Sequence, residues 1–314
     1  MTYKDTEYKS LATVCEPIHS WGGTWTEDKL DAFEKYVKAY LTIMNKYRDS
    51  CGWKLIYFDG FAGSGTRKEE IDGDIELEKN LFNANYIIDE EKDSYKGAAE
   101  RVLKIDIRGF DFYYFIDKDK NSNDKLKEKL NNYKNDTRKL EFRVNDANIE
   151  LRKLSNAMLQ QPNLGSMVLL DPFGMQIDWD SIKLLKDTRT DIWILVPTGV
   201  IINRLLDRKA ELKHIDLLKR FFGEEETFIR DYFFEKRKVE TLFGEEEITV
   251  KVNDSIKKIA DLYVTKLQSI FKYVTTEPLV LRNSRNIPIF HFVFASNNEK
   301  AKKIASQIIG KKRS

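Results

Sequence analysis

The residue run Trp53-Lys54-Leu55-Ile56-Tyr57-Phe58 ends in Asp59-Gly60-Phe61-Ala62-Gly63-Ser64-Gly65, and this junction constrains the fold more than any other part of the chain. Short apolar and aromatic runs of this kind form buried strands. Glycines directly after a strand let the backbone take positive φ and approach a ligand closely. Open α/β sheets bind their ligands there, beyond the carboxyl ends of the strands. A dinucleotide loop needs a further glycine to seat the next helix on the sheet, but Thr66-Arg67-Lys68 follow Gly65. A cationic ligand bearing an amino-acid group gains instead from Asp59 at the strand end, with the glycine amides facing its carboxylate. The remaining reading is a tight turn without a ligand.

Four more strand candidates follow: Phe112–Ile116, Leu140–Val144, Met167–Leu170 and Ile192–Val196. Helical or loop segments separate them, which implies a parallel sheet with right-handed crossovers. Ahead of the first strand, Leu30, Phe33, Val37, Tyr40, Leu41 and Met44 recur at helical spacing, with Thr26 as the expected N-cap. Residues 1–52 are therefore read as an N-terminal helical segment and 53–314 as an α/β domain. That domain carries helical insertions at about 66–110 and 200–270, the second with a short hairpin around Val239–Val252. Helix is also expected between Glu78 and Leu103, and acids outnumber bases over 66–100. Tyr273–Leu281 and Ile287–Ala295 are strand-like, and the short loop between them favours an antiparallel hairpin. Parallel strands closed by such a hairpin resemble the Rossmann-like sheet of class I methyltransferases.

The acids at the strand ends extend this resemblance. The Asp59-Gly60-Phe61-Ala62-Gly63-Ser64-Gly65 loop resembles motif I of nucleic-acid amino-methyltransferases, which favours S-adenosylmethionine over NAD. Asp117 ends the second strand, where an acid either accepts both ribose hydroxyls or caps the next helix; Asp119 is the second choice for the ribose. Asp146 stands where methyltransferases contact the adenine amino group, although Asn and Asp are also ordinary turn residues. Asp171-Pro172-Phe173-Gly174 resembles the (D/N/S)-P-P-(Y/F) tetrad that holds a target amine in line with the methyl donor. Here Phe173 replaces the second proline and Gly174 the aromatic residue, so Asp171 and Pro172 carry over and base stacking by Phe173 is in doubt. The plain alternative is a turn started by Asp-Pro. Val196-Pro197-Thr198-Gly199 lines the same rim without an assigned role.

Together these segments, with Trp25-Thr26-Glu27-Asp28-Lys29-Leu30 and Phe290-His291-Phe292-Val293-Phe294-Ala295-Ser296, resemble the three-Cys-motif partner protein family, TcmP, from about residue 20 to 310. The resemblance implies a methyltransferase-like fold and a separate partner protein with a three-cysteine motif of iron–sulfur or radical S-adenosylmethionine type. This chain holds only Cys15 and Cys51, so it is not that partner. The preferred function is methyl transfer from S-adenosylmethionine to an amino group, on a nucleic acid. The alternative is a cofactor-binding subunit that supports the three-cysteine protein, and a nicotinamide oxidoreductase ranks third.

A net charge of +2 gives no global basic field for a nucleic acid, though one basic face balanced by the acidic insertion is compatible with it. Isolated cysteines exclude a disulfide framework or zinc site. No apolar run reaches the roughly 20 residues of a membrane span, and the start of the chain has no signal-peptide core, so a cytoplasmic protein is expected. His291 reads as a packing residue, and His19 and His214 lack partners for a metal or triad. Trp25 and Lys29 either fold over the cofactor or form a helix start and a solvated charge. The basic tail Lys311-Lys312-Arg313 reads as a solvated helix end or a phosphate contact.

Overall fold

The buried runs of the sequence assemble into one sheet. A computed structural model describes residues 24–65, 97–135, 137–241 and 244–313. Its elements begin with α1 (Thr24–Tyr47), β1 (Lys54–Asp59), α2 (Ala98–Leu103), β2 (Phe112–Asp117), α3 (Lys120–Leu130), β3 (Lys139–Val144) and α4 (Ala147–Gln160). They continue with β4 (Leu164–Leu170), α5 (Trp179–Lys183), β5 (Thr190–Val196), α6 (Ile215–Phe222), α7 (Glu226–Phe233), β6 (Phe234–Thr241) and β7 (Gly244–Lys251). The chain closes with α8 (Ser255–Gln268), β8 (Tyr273–Val274), β9 (Leu279–Arg282), β10 (Pro288–Ser296) and α9 (Glu299–Arg313).

The main sheet runs β3-β2-β1-β4-β5-β10-β8, with β9 also paired to β10. The pairs among β1 to β5 are parallel, and β10 is antiparallel to β5, with His291 opposite Val196. This is the Rossmann-like sheet of class I methyltransferases. Strand order reverses between β1 and β4, and that switch point is where open α/β sheets take their ligands. Strands β4 and β5 are buried along their whole length, as strands covered on both faces must be.

The strand positions match the sequence reading, with adjusted ends. The inserted hairpin starts earlier than expected, at Phe234, and forms its own two-stranded sheet. The segment Tyr273–Leu281 divides into β8 and β9; after β8, Thr275 still exchanges hydrogen bonds with the backbone of Phe294 on β10. Thr26 is not an N-cap: α1 already includes Thr24, and Thr26 is buried inside the first turns. Of the helix expected between Glu78 and Leu103, α2 is present, and the part before residue 97 lies outside the described residues.

Helix α1 buries Leu30, Phe33, Val37, Tyr40 and Leu41 of the stripe read from its spacing, leaves Met44 partly buried and adds Tyr36 to the buried face. Each such side chain contributes roughly 1.5–3 kcal/mol when fully withdrawn from water. Polar contacts fix the helix at three levels. Lys29 reaches Asp171, Tyr36 donates to Asp191 at 2.7 Å, and Arg48 reaches Asp111 beside β2. Helix α9 packs on α1, and Lys312 pairs with Asp28 at 2.7 Å and Asp31 at 3.3 Å. The basic tail is thus partly spent on α1.

Candidate functional site

The strand-end acids gather beyond the carboxyl edge of the sheet, around the switch point. Asp59, the last residue of β1, is 2% exposed. Its carboxylate accepts from the Tyr57 hydroxyl at 3.1 Å and from the Phe61 N–H at 3.3 Å. Burial pushes its pKa up to about 7, and the neighbouring Asp171 and Asp117 carboxylates push the same way. Among the described residues no cation pairs with Asp59. A buried acid held by a tyrosine and an amide alone is a natural counter-ion for a cationic ligand.

The glycine loop is fastened to the end of β2. Ala62 N–H donates to the Ile116 carbonyl at 2.9 Å, and Gly63 N–H donates to Asp117 at 3.0 Å. Gly63 takes φ +58°, which a side chain would resist. A Cβ on Gly60 would lie 2.7 Å from Leu170 Cδ2, so a larger residue there would have to displace the Leu170 side chain at the end of β4. Asp117 also accepts the Asp119 N–H at 2.7 Å. Burial raises its pKa. Each of its oxygens keeps a second lone pair for a ligand hydroxyl.

Asp119 and Asp146 spend their carboxylates on helix caps. Asp119 accepts the amides of Asn121 and Ser122 at the start of α3. Asp146 accepts Asn148 N–H at 2.7 Å at the start of α4, and its other oxygen pairs with Lys118 at 2.6 Å. Burial would raise the Asp146 pKa, but the Lys118 and Asn148 contacts together outweigh it and the net shift is downward.

Asp171-Pro172-Phe173-Gly174 follows β4. Pro172 and Gly174 are buried, Asp171 is half-buried and Phe173 is 40% exposed at the rim. Lys29 comes from α1 and places its ammonium 2.5 Å from Asp171 Oδ2, with a side chain only 7% exposed. It also lies 5.7 Å from the Trp25 ring, which stacks on Phe290 at 5.2 Å. Of the two roles weighed for Lys29, a solvated charge is therefore excluded, and it stands inside the candidate site.

Two more residues shape the site without a sequence signal of their own. Asn148 donates to the Gln176 carbonyl at 2.9 Å and accepts the Asp178 N–H at 2.9 Å, tying α4 to the loop that follows the tetrad. Tyr57 looks like any strand aromatic until its hydroxyl is found on Asp59. His291 is buried and shares a 2.8 Å hydrogen bond with Thr198, as expected of a packing residue. Thr198 opens a π-helical turn, Thr198–Ile202, that continues through Asn203–Leu205 at the same edge. Among the described residues there is no cluster that could hold a metal ion, and no helix long and apolar enough to cross a membrane.

A cationic cofactor with a ribose and an amino-acid end fits this arrangement. Among the described residues Asp59 supplies a buried carboxylate without a cation, and Asp117 supplies open acceptor positions beside the glycine loop.

No protein-family model and no curated protein matches the chain. Among solved structures it is similar to a Legionella pneumophila protein of the DUF519 family, at 14% identity over 89% of this chain and 99% of that one, with a TM-score of 0.42. It is also similar to an Escherichia coli protein provisionally described as a methyltransferase, at 13% identity over 68% and 84% of the two chains, TM-score 0.25. A Pyrococcus horikoshii protein, provisionally described as an RNA methyltransferase, gives 16% identity over 67% and 80%, TM-score 0.24. Likeness this distant carries no argument about cofactor or substrate, and the fold assignment stands on the strand order.

Proposed function

We propose that this chain is an S-adenosylmethionine-dependent methyltransferase acting on an amino group of a nucleic acid. The observation that carries the reading is the meeting of Asp59, Asp117 and Asp171 around the glycine loop at one switch point, with Asp59 buried and, among the described residues, lacking a cation. S-adenosylmethionine, when bound, supplies an electrophilic methyl group on a cationic sulfur. In this reading Asp59, with the loop Gly60, Phe61, Ala62, Gly63 and Gly65, holds the amino-acid end. Asp117 accepts the ribose hydroxyls, and Asp146 stands near the adenine with one oxygen engaged by Lys118. Asp171 accepts a hydrogen from the target amine on Oδ1 while Lys29 holds Oδ2. Pro172 and Gly174 fix the turn, and Phe173 offers an exposed ring at the rim. Positioning of this kind accounts for most of what a protein contributes to methyl transfer, since the cofactor brings the reactive group.

A second reading has one observation in its favour. Lys29 already engages the tetrad carboxylate, as suits a cofactor-binding subunit of a three-cysteine-motif protein that does not itself turn over. Calorimetric titration with S-adenosylmethionine and S-adenosylhomocysteine decides the first step, with NADH and Asp117→Ala as controls. Saturable binding, lost in the variant and absent for NADH, supports the cofactor assignment. Silence in every titration overturns it for the chain alone.

A further inference from the structure

The segment that follows β5 gathers basic side chains at the same edge of the sheet as the candidate site. Lys251, the last residue of β7, donates from its ammonium to the Asn203 carbonyl, and Ser255 donates to the Asn203 side chain at 2.6 Å. The end of the inserted hairpin is thereby locked to the turn that leaves β5. Half-burial and the neighbouring Arg208 guanidinium lower the Lys251 pKa to about 8, against an opposing pull from Asp207. Asp207 is already engaged, since its carboxylate accepts the amides of Lys209, Glu211 and Leu212. Among the described residues neither Lys251 nor Arg208 forms an ion pair, so the Arg208 guanidinium and the Lys251 ammonium, beyond its one hydrogen bond to Asn203, keep donors for an anion.

The loop that carries Arg208 is held rigidly. Ala210 and Leu212 both adopt positive φ, at +57° and +47°. Residues other than glycine rarely do so, and such strain persists only where surrounding contacts over-determine the backbone. Those contacts are the three amides on Asp207 and the Arg230 guanidinium, which donates to the Ala210 carbonyl at 2.7 Å. Arg208 and Lys209 themselves are exposed. The loop between β9 and β10, bearing Arg282 and Arg285, emerges on the same edge, because β10 begins beside the end of β5. An acidic centre thus has a basic flank. The chain's overall charge of +2 conceals that flank.

We propose that Lys251 and Arg208 form a binding site for a phosphodiester of a single-stranded nucleic acid, which the adjacent site would receive as methyl acceptor. The identity of the acceptor rests on the function proposed above; the anion site does not. A phosphate accepts from the two remaining ammonium hydrogens of Lys251 and from the Arg208 fork, and the fixed loop spares it the cost of ordering them.

The test is fluorescence anisotropy of short single-stranded RNA and DNA oligonucleotides over a range of salt. Inorganic phosphate serves as competitor, with wild type, Lys251→Gln and Arg208→Gln compared. Each variant should weaken oligonucleotide binding roughly ten-fold and lower the slope of log affinity against log salt by about 1. Calorimetric binding of S-adenosylmethionine should be unchanged in both. Equal affinity and slope in the variants, or no oligonucleotide binding by the wild type, overturns the site. Capture of inorganic phosphate alone overturns its assignment to nucleic acid. Oligonucleotide binding with the expected slopes but no S-adenosylmethionine binding leaves the anion site standing and removes the methyl-transfer reading instead.

Discussion

Lys29 and Asp171 meet at 2.5 Å although 141 residues separate them in the chain, joining the opening turns of the N-terminal helix to the end of the fourth strand. The pair places the ammonium that α1 contributes against an acidic centre. It is also the contact through which the N-terminal segment enters the candidate chemistry.

Lys29→Met removes this countercharge and leaves Asp171 half-buried beside Asp59. Removing one partner of a fully buried pair costs about 3–5 kcal/mol, and the 22% exposure of the Asp171 side chain reduces that figure. A loss of about 1–3 kcal/mol is expected in urea unfolding. Lys29→Met combined with Asp171→Asn should recover part of it. A double variant no more stable than Lys29→Met would show that the pair is not coupled.

Asp171→Ala should abolish methylation of an amine substrate while leaving S-adenosylmethionine binding within about two-fold, since positioning the acceptor is separate from holding the cofactor. Turnover retained in that variant would remove Asp171 from the active site.

Asp59 links stability to pH. Its folded pKa of about 7 lies above the ordinary carboxylate value, so its contribution is complete below about pH 4 and is lost as pH rises through 7. Asp191, raised by burial to about 6, acts in the same direction. The gain in melting temperature from Asp59→Asn should therefore be small at pH 5 and larger at pH 8. Affinity for the cationic cofactor should climb through pH 7 in the wild type and lie flat in the variant. A parallel pair of melting curves across this range would contradict the burial of an ionisable Asp59.

Asn148→Ala unties the loop after the tetrad and strips hydrogen bonds from the Gln176 carbonyl and the Asp178 amide. A loss of about 1–3 kcal/mol is expected, measurable by thermal melting. Turnover should fall more than cofactor affinity does. Equal losses in both would mean that the staple serves the whole edge and not the acceptor side.

The sheet was legible because its strands are short, apolar and separated by polar breaks. The antiparallel pairing of β9 with β10 followed from the shortness of the Arg282–Asn286 loop. The glycine loop and the acids at 59, 117 and 171 were legible because a strand end, a turn and a carboxylate leave adjacent letters. Lys29 could be named only as one of two possibilities, since an ion pair between distant segments has no local pattern. Tyr57 and Asn148 were silent for the same reason: a strand tyrosine and a helix-start asparagine look identical whether or not their polar atoms serve a neighbour. The Lys251–Arg208 grouping stayed hidden because the net charge averages it with the acids around it.

Helix α1 is bound to the sheet at three heights, through Asp171 at one edge, Asp191 in the middle and Asp111 at the other. It works as a crossbar, not a hinged flap. Its tilt cannot change without separating a fully or partly buried charge from its partner. Trimming the chain from its front would therefore strip the acidic centre of its counterweight before a single strand was lost.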